Sequence, residues 1–170
     1  MSCDCLFQNK PKGIHRMIKN IRDYDGELEA DAYINLFEKE IEIHFGSEED
    51  IAYAELCVAH FNTLSEEQIT QLCEAAIRYC NEFLEEIDEE PQIFATPRDV
   101  LKEITPRGMQ ITQPANRTVP IIDLELDCSW EEEHGMQWVI RGDKVLYVGA
   151  YEGVDPEGDC GAGEDWNYIV

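Results

Sequence analysis

The stretch from Ser65 to Ile87 constrains the fold more than any other. Ile69, Leu72, Cys73, Ala76, Ile77, Cys80, Phe83, Leu84 and Ile87 recur there at intervals of three and four, with Glu and Gln between them. Side chains at those intervals share one face of a helix, so the segment reads as an amphipathic helix of about five turns whose apolar stripe must be buried. Ser65 and Gln68 have the S-x-x-Q spacing of a capping box, and Pro91 marks the stop. Upstream, Ser47 followed by Glu48, Glu49 and Asp50 opens a second helix, with the carboxylates at the positive end of its dipole. Ile51, Ala54, Val58 and Phe61 form its stripe, and the short link Asn62 to Leu64 makes the two helices an antiparallel hairpin.

The segments on either side change period. From Ala32 to Phe45 the alternation is two, with Ile41, Ile43 and Phe45 on one face and Glu42 and His44 on the other. This predicts a hairpin with a first arm near Ala32 to Phe37 and a turn near Glu38 to Glu40. In the C-terminal third, Ile122, Leu124, Leu126 and Cys128 alternate with Asp123, Glu125 and Asp127; Met136 to Arg141 and Lys144 to Tyr151 flank a Gly142-Asp143 turn. Ser129 to Gly135 is read as the loop between these strands, and Thr96-Pro97-Arg98-Asp99 starts a short helix reaching about Ile104. Strands and helices fall in runs and do not alternate. The expected class is therefore α+β: an antiparallel sheet of about five or more strands, with an N-terminal hairpin, a central helix pair on one face and a C-terminal meander.

Composition sets the remaining bounds. At 170 residues, 44% hydrophobic and 29% charged, the chain has enough apolar mass for one self-sufficient domain. Charge is uneven: residues 6–22 carry Lys10, Lys12, Arg16, Lys19 and Arg22 without an acid. Removing these and Asp4 from the totals of 13 basic and 37 acidic residues leaves 8 and 36 from Asp23 onward, a balance of −28 within a total of −24. The division is thus a basic arm over 1–22, one α+β domain over 23–153 and an acidic, Gly-rich tail over 154–170, solvated and partly pinned by Trp166 and Tyr168. The arm fits either helix or strand. Such a field opposes nucleic acid and anionic membranes, which need a basic face, and no apolar run reaches the roughly 20 residues that span a bilayer. The seven cysteines include no C-x-x-C, and Cys57, Cys73 and Cys80 sit at apolar positions, as expected for reduced thiols in a cytoplasmic protein.

Two stretches, GELEADAYINLFEKEIEIHFGSEEDIAYAELC with SEEQITQLCEAAIRYCNEF and LELDCSWEEEHGMQWVIRGDKVLYVGAYEG, resemble a family of uncharacterised bacterial cytosolic domains. The resemblance rests on Leu36, Phe37, Ile41 and Ile43, on the C-x-W-x-x-E-H-G pattern of Cys128, Trp130, Glu133, His134 and Gly135, and on Gly142, Lys144, Val145 and Gly149. It implies α+β topology and no established activity, with some similar proteins looking like immunity partners of toxins by genomic association. The chain departs from that pattern at Glu38, which occupies the family's turn glycine, and in the basic arm.

The one dense constellation is Trp130, Glu131, Glu132, Glu133 and His134. A His beside carboxylates serves as acid, base or metal ligand, so Glu133 and His134 would be the centre of a metal-dependent hydrolase. The same residues also suit a binding surface with an aromatic anchor, or a loop fixed by hydrogen bonds to its backbone with Gly135 at positive φ. The acidic stretch from Asp155 lacks calcium-loop spacing, because Cys160 and Trp166 stand where Gly and Glu are needed. No G-x-S-x-G elbow and no phosphate loop occurs. The expectation is a non-catalytic protein, without metal or cofactor, that binds a basic protein partner in the manner of an immunity or inhibitor protein. An acidic domain of purely structural or regulatory role is the plainer alternative, and the oligomeric state is open.

Overall fold

The computed structural model describes residues 16–170. In chain order the strands are β1 (Ile18–Tyr24), β2 (Glu27–Ile34), β3 (Lys39–Phe45), β4 (Ile104–Gln110), β5 (Ile121–Cys128), β6 (Glu131–Arg141) and β7 (Lys144–Ala150). Between β3 and β4 lie the helices α1 (Ile51–Phe61) and α2 (Glu66–Glu86), then a 3-10 helix, Pro97–Glu103. The seven strands form one sheet in sequence order. Every neighbouring pair is antiparallel except β3 and β4, which run parallel. The wholly antiparallel sheet expected from the sequence is corrected at this seam. A parallel pair requires a long crossover, and the helix hairpin is that crossover. The part of the basic arm from Ile18 onward is strand β1; residues 1–15 lie outside the described residues.

The helices form where capping and periodicity place them. Ser65 Oγ accepts a hydrogen bond from Gln68 N at 3.2 Å, and Gln68 Oε1 accepts one from Ser65 N at 2.9 Å. Leu72, Cys73, Ala76 and Cys80 are fully buried against the sheet, while Phe83 and Leu84 are half-buried at its margin. Ala30, Ala32, Ile34, Ile41, Ile43, Leu124 and Leu126 of the sheet belong to the same core, with α1 packed over β2, β3 and β5 and α2 over β7 and the 3-10 helix. The hairpin turn differs from the sequence reading in its details: β2 ends at Ile34, a 3-10 turn follows over Asn35–Phe37, and Glu38 adopts φ 50°, ψ 41°. That left-handed conformation favours glycine. Among the described residues, no helix is long and apolar enough to cross a membrane.

The chain after residue 153 is not a solvated tail. Arg141 donates to the carbonyls of Pro156 and Gly158, and Gln137 exchanges two hydrogen bonds of 3.0 Å with the backbone of Val154. Buried Asn167 donates to the carbonyls of Leu146 (2.8 Å) and Cys160 (3.0 Å), and Tyr168 N donates to Val148 O at 3.0 Å. This segment covers the second face of β6 and β7 and the outer edge of β7. A small second core of Val139, Tyr147 and Cys160 results. An edge strand covered in this way presents fewer unpaired backbone groups to another chain.

Candidate functional site

The stretch Trp130–His134 is not a free loop. Strand β6 begins at Glu131, and the ladder with β5 jumps from Leu126↔Met136 to Cys128↔Glu131, so residues 132–135 bulge out beside Asp127. The bulge closes around the Glu131 carboxylate, which is 6% exposed. It accepts from Glu133 N at 2.8 Å, from His134 N at 3.0 and 3.1 Å, and from Gly135 N at 3.1 Å. Three consecutive peptide N–H groups turned towards one anion form a nest, here satisfied by a carboxylate of the same chain. Gly135 is required at its position: its φ is 73°, and a Cβ would lie 2.5 Å from Leu126 O. The loop-fixing residue is therefore Glu131, where the sequence pointed to Glu133 and His134.

The other members of the constellation separate. Trp130 is 7% exposed and packs edge-on against Tyr79 with ring centroids 5.9 Å apart, so it is part of the core and not an exposed anchor. Glu132, Glu133 and His134 are exposed, Glu132 lining a shallow polar cleft of about 330 Å³ with Lys102, Glu103 and Ser129. His134 Nδ1 lies 3.5 Å from Glu131 Oε2. Among the described residues, no three His, Cys, Asp or Glu side chains come together as a metal site. Burial pushes the Cys73 and Cys80 thiols up to about 11 and the Cys128 thiol to about 12. These cysteines are protonated core residues, far from the thiolate that nucleophilic attack needs.

Two features lay beyond the sequence reading. The first is the end of α2, where Glu82, Glu85, Glu86, Asp88, Glu89 and Glu90 are all exposed. Among the described residues none of them forms an ion pair. Ile87 stands among them, 52% exposed. Carboxylates at a helix C-terminus face the negative end of its dipole, so this arrangement opposes stability, and that misplacement is the signal the sequence carried. The second is a cleft of about 400 Å³ where the C-terminal segment meets α2 and β7, lined by Tyr79, Tyr147, Glu152, Trp166 and Tyr168. Its signal was weaker: Met136 to Ile140 is apolar without alternation apart from Gln137, as a strand covered on both faces would be.

The architecture defines an α+β domain in which a helix hairpin interrupts a seven-stranded meander. Residues 17–156 match the family described as a domain of unknown function (DUF6985), and the chain belongs to that family. No curated protein and no solved structure matches it.

Proposed function

We propose that the protein is a non-catalytic binding domain whose partner is a basic protein, acting in the manner of an immunity or inhibitor protein. The carrying observation is the exposed carboxylate cluster over residues 82–90, without an ion pair among the described residues and set at the helix end where it weakens the fold. Fold stability does not account for that placement, whereas a cationic partner would neutralise it and be steered to it at an elevated rate. Ile87 gives the same surface an apolar contact of the kind that anchors an interface. The Glu131 carboxylate is engaged by the peptide N–H groups of its own bulge, which supports a structural role for that residue. The test is affinity capture from the native cell followed by stopped-flow association. A basic partner is expected, with an association rate that falls steeply between low and physiological salt and falls further for the Glu82→Gln/Glu85→Gln/Glu86→Gln variant. A neutral or acidic partner, or a rate indifferent to salt and to these substitutions, overturns the proposal.

A further inference from the structure

Four aromatic side chains converge where the C-terminal segment crosses β7. Tyr147 and Trp166 have ring centroids 5.8 Å apart, and Tyr79 and Tyr168 have theirs 5.2 Å apart. They line the 400 Å³ cleft together with Glu152, the one charged residue lining it among the described residues. Trp166 is 46% exposed in spite of this company, which leaves a large apolar surface in water.

The walls are fixed before any ligand arrives. A Cβ on Gly161 would overlap the Trp166 ring, so that indole rests directly on backbone, and a Cβ on Gly149 would lie 2.6 Å from Tyr147 Oη. Asn167, between Trp166 and Tyr168, is 6% exposed and ties both flanks to β7 and to Cys160. Arg78 of α2 donates to Tyr168 O through Nε and a terminal nitrogen at 2.9 and 2.7 Å, which fixes the far wall and occupies that guanidinium. The hydroxyl of Tyr147 donates to Ala150 O at 2.7 Å, and this ring, 1% exposed, backs Trp166 from below, so the aromatic surface open to a ligand belongs to Trp166 and the half-buried Tyr168. Preorganised aromatic walls avoid the ordering cost that weakens most surface sites.

We propose that this cleft is the socket for one arginine side chain of the basic partner, an assignment that rests on the partner reading above. Ring faces carry negative potential and attract a cation, and Glu152 supplies a formal charge at the same place. An anion would meet that carboxylate and a chain of net charge −24. A purely apolar group would cover Glu152 without pairing it. Guanidinium is flat, weakly hydrated and stacks on aromatic rings, whereas the lysine ammonium is a compact, strongly hydrated charge that loses more on entry. The Tyr168 phenol is held up first by burial and then by Glu82 and Glu86, and the Tyr147 phenol by burial and then by Glu152, so these carboxylates act on the aromatic cluster itself. Tyr168 also lines the neighbouring groove of about 720 Å³ with Glu82, Glu85 and Asp88. One basic segment can therefore seat an arginine in the cleft and lay further cationic residues along the end of α2. Trp166 and Tyr168 lie beyond residues 17–156, so the socket is not contained in the span that defines the family.

The test is a titration of the full chain with the peptide acetyl-Gly-Gly-Arg-Gly-Gly-amide and with its citrulline analogue, followed through the Trp166 indole N–H resonance. The arginine peptide is expected to shift that resonance saturably, with citrulline at least about ten-fold weaker. Trp166→Ala should weaken binding by about ten-fold, read from backbone resonances of residues 147–152, and Glu152→Gln, at an exposed position, by about three-fold. Trp166→Phe keeps a ring on Gly161 and should retain most of the affinity, which separates loss of the socket from loss of the fold. No saturable shift, or equal binding of the citrulline peptide, overturns the assignment. So does undiminished binding by a folded Glu152→Gln chain together with Trp166→Ala. The titration uses no native partner, so it fails independently of the capture experiment: a salt-sensitive basic partner with a silent Trp166 would refute the socket alone.

Discussion

Replacing Glu131 tests whether the acid-rich stretch before Gly135 is architecture. In Glu131→Ala the three peptide N–H groups of residues 133–135 lose their acceptor. Hydrogen bonds to a charged acceptor contribute about 1.5–3 kcal/mol each. Those of Glu133 and His134 flank exposed side chains, so water recovers most of their value, while the N–H of buried Gly135 is left at a cost of about 1–3 kcal/mol. The expected loss is about 3–5 kcal/mol, equivalent to a fall in Tm of roughly 6–20 °C for a domain of this size. Glu131→Gln keeps one acceptor oxygen and should lose about half as much. His134→Ala removes an exposed ring with one 3.5 Å contact and should stay within about 0.5 kcal/mol. Urea denaturation monitored by far-UV circular dichroism and by tryptophan fluorescence measures all three. A cost below about 1 kcal/mol for Glu131→Ala, or a greater cost for His134→Ala than for Glu131→Ala, would show that the bulge does not depend on the Glu131 carboxylate.

Other substitutions probe the remaining features. Burial raises the Asp123 carboxyl from 3.8 to about 6, in spite of a 2.8 Å hydrogen bond from Gln137. The folded state then holds a proton that the unfolded chain releases, so the destabilisation is complete above about pH 6 and disappears as pH falls towards the unfolded value. Asp123→Asn should accordingly stabilise by about 1–3 kcal/mol at pH 8 and by nothing near pH 3, as read from paired urea titrations. Glu38→Gly relieves a left-handed residue at φ 50° and should add about 0.5–1 kcal/mol; a loss of stability would show that the Glu38 side chain contributes something its exposure conceals. Leu72→Ala, at a fully buried position, should cost about 2–5 kcal/mol, and Phe83→Ala, half-buried, about 1–3 kcal/mol; equal losses would contradict the observed packing gradient along α2. Asn167→Ala strands the carbonyls of Leu146 and Cys160 and should cost about 2–4 kcal/mol while exposing Trp166 further, visible as a red shift in emission.

Short-range pattern carried much of the architecture. The stripe from Ile69 to Leu84 and the Ser65–Gln68 box specify α2, because periodicity and capping are local properties. The alternations Ile41–Phe45 and Ile122–Cys128 likewise specify strands with one wet face, and the charge excess is readable by counting. Tertiary structure decided what depended on partners distant in the chain. The parallel seam between β3 and β4 is a matter of how the helix hairpin returns to the sheet, which no window of sequence contains. Glu131, Glu132 and Glu133 are the same residue in sequence, yet only the first falls inside the bulge where three N–H groups converge; β5–β6 register made that choice. The segment after residue 153 looked solvated because acids and glycines dominate it, and its attachment depends on Asn167 and on carbonyls contributed by β7 and by Cys160. The aromatic cleft was the least legible feature, for its rings come from α2, β7 and the C-terminal segment, and only the docking of that last segment over an otherwise open sheet edge brings Trp166 to Tyr147 and Tyr168 to Tyr79.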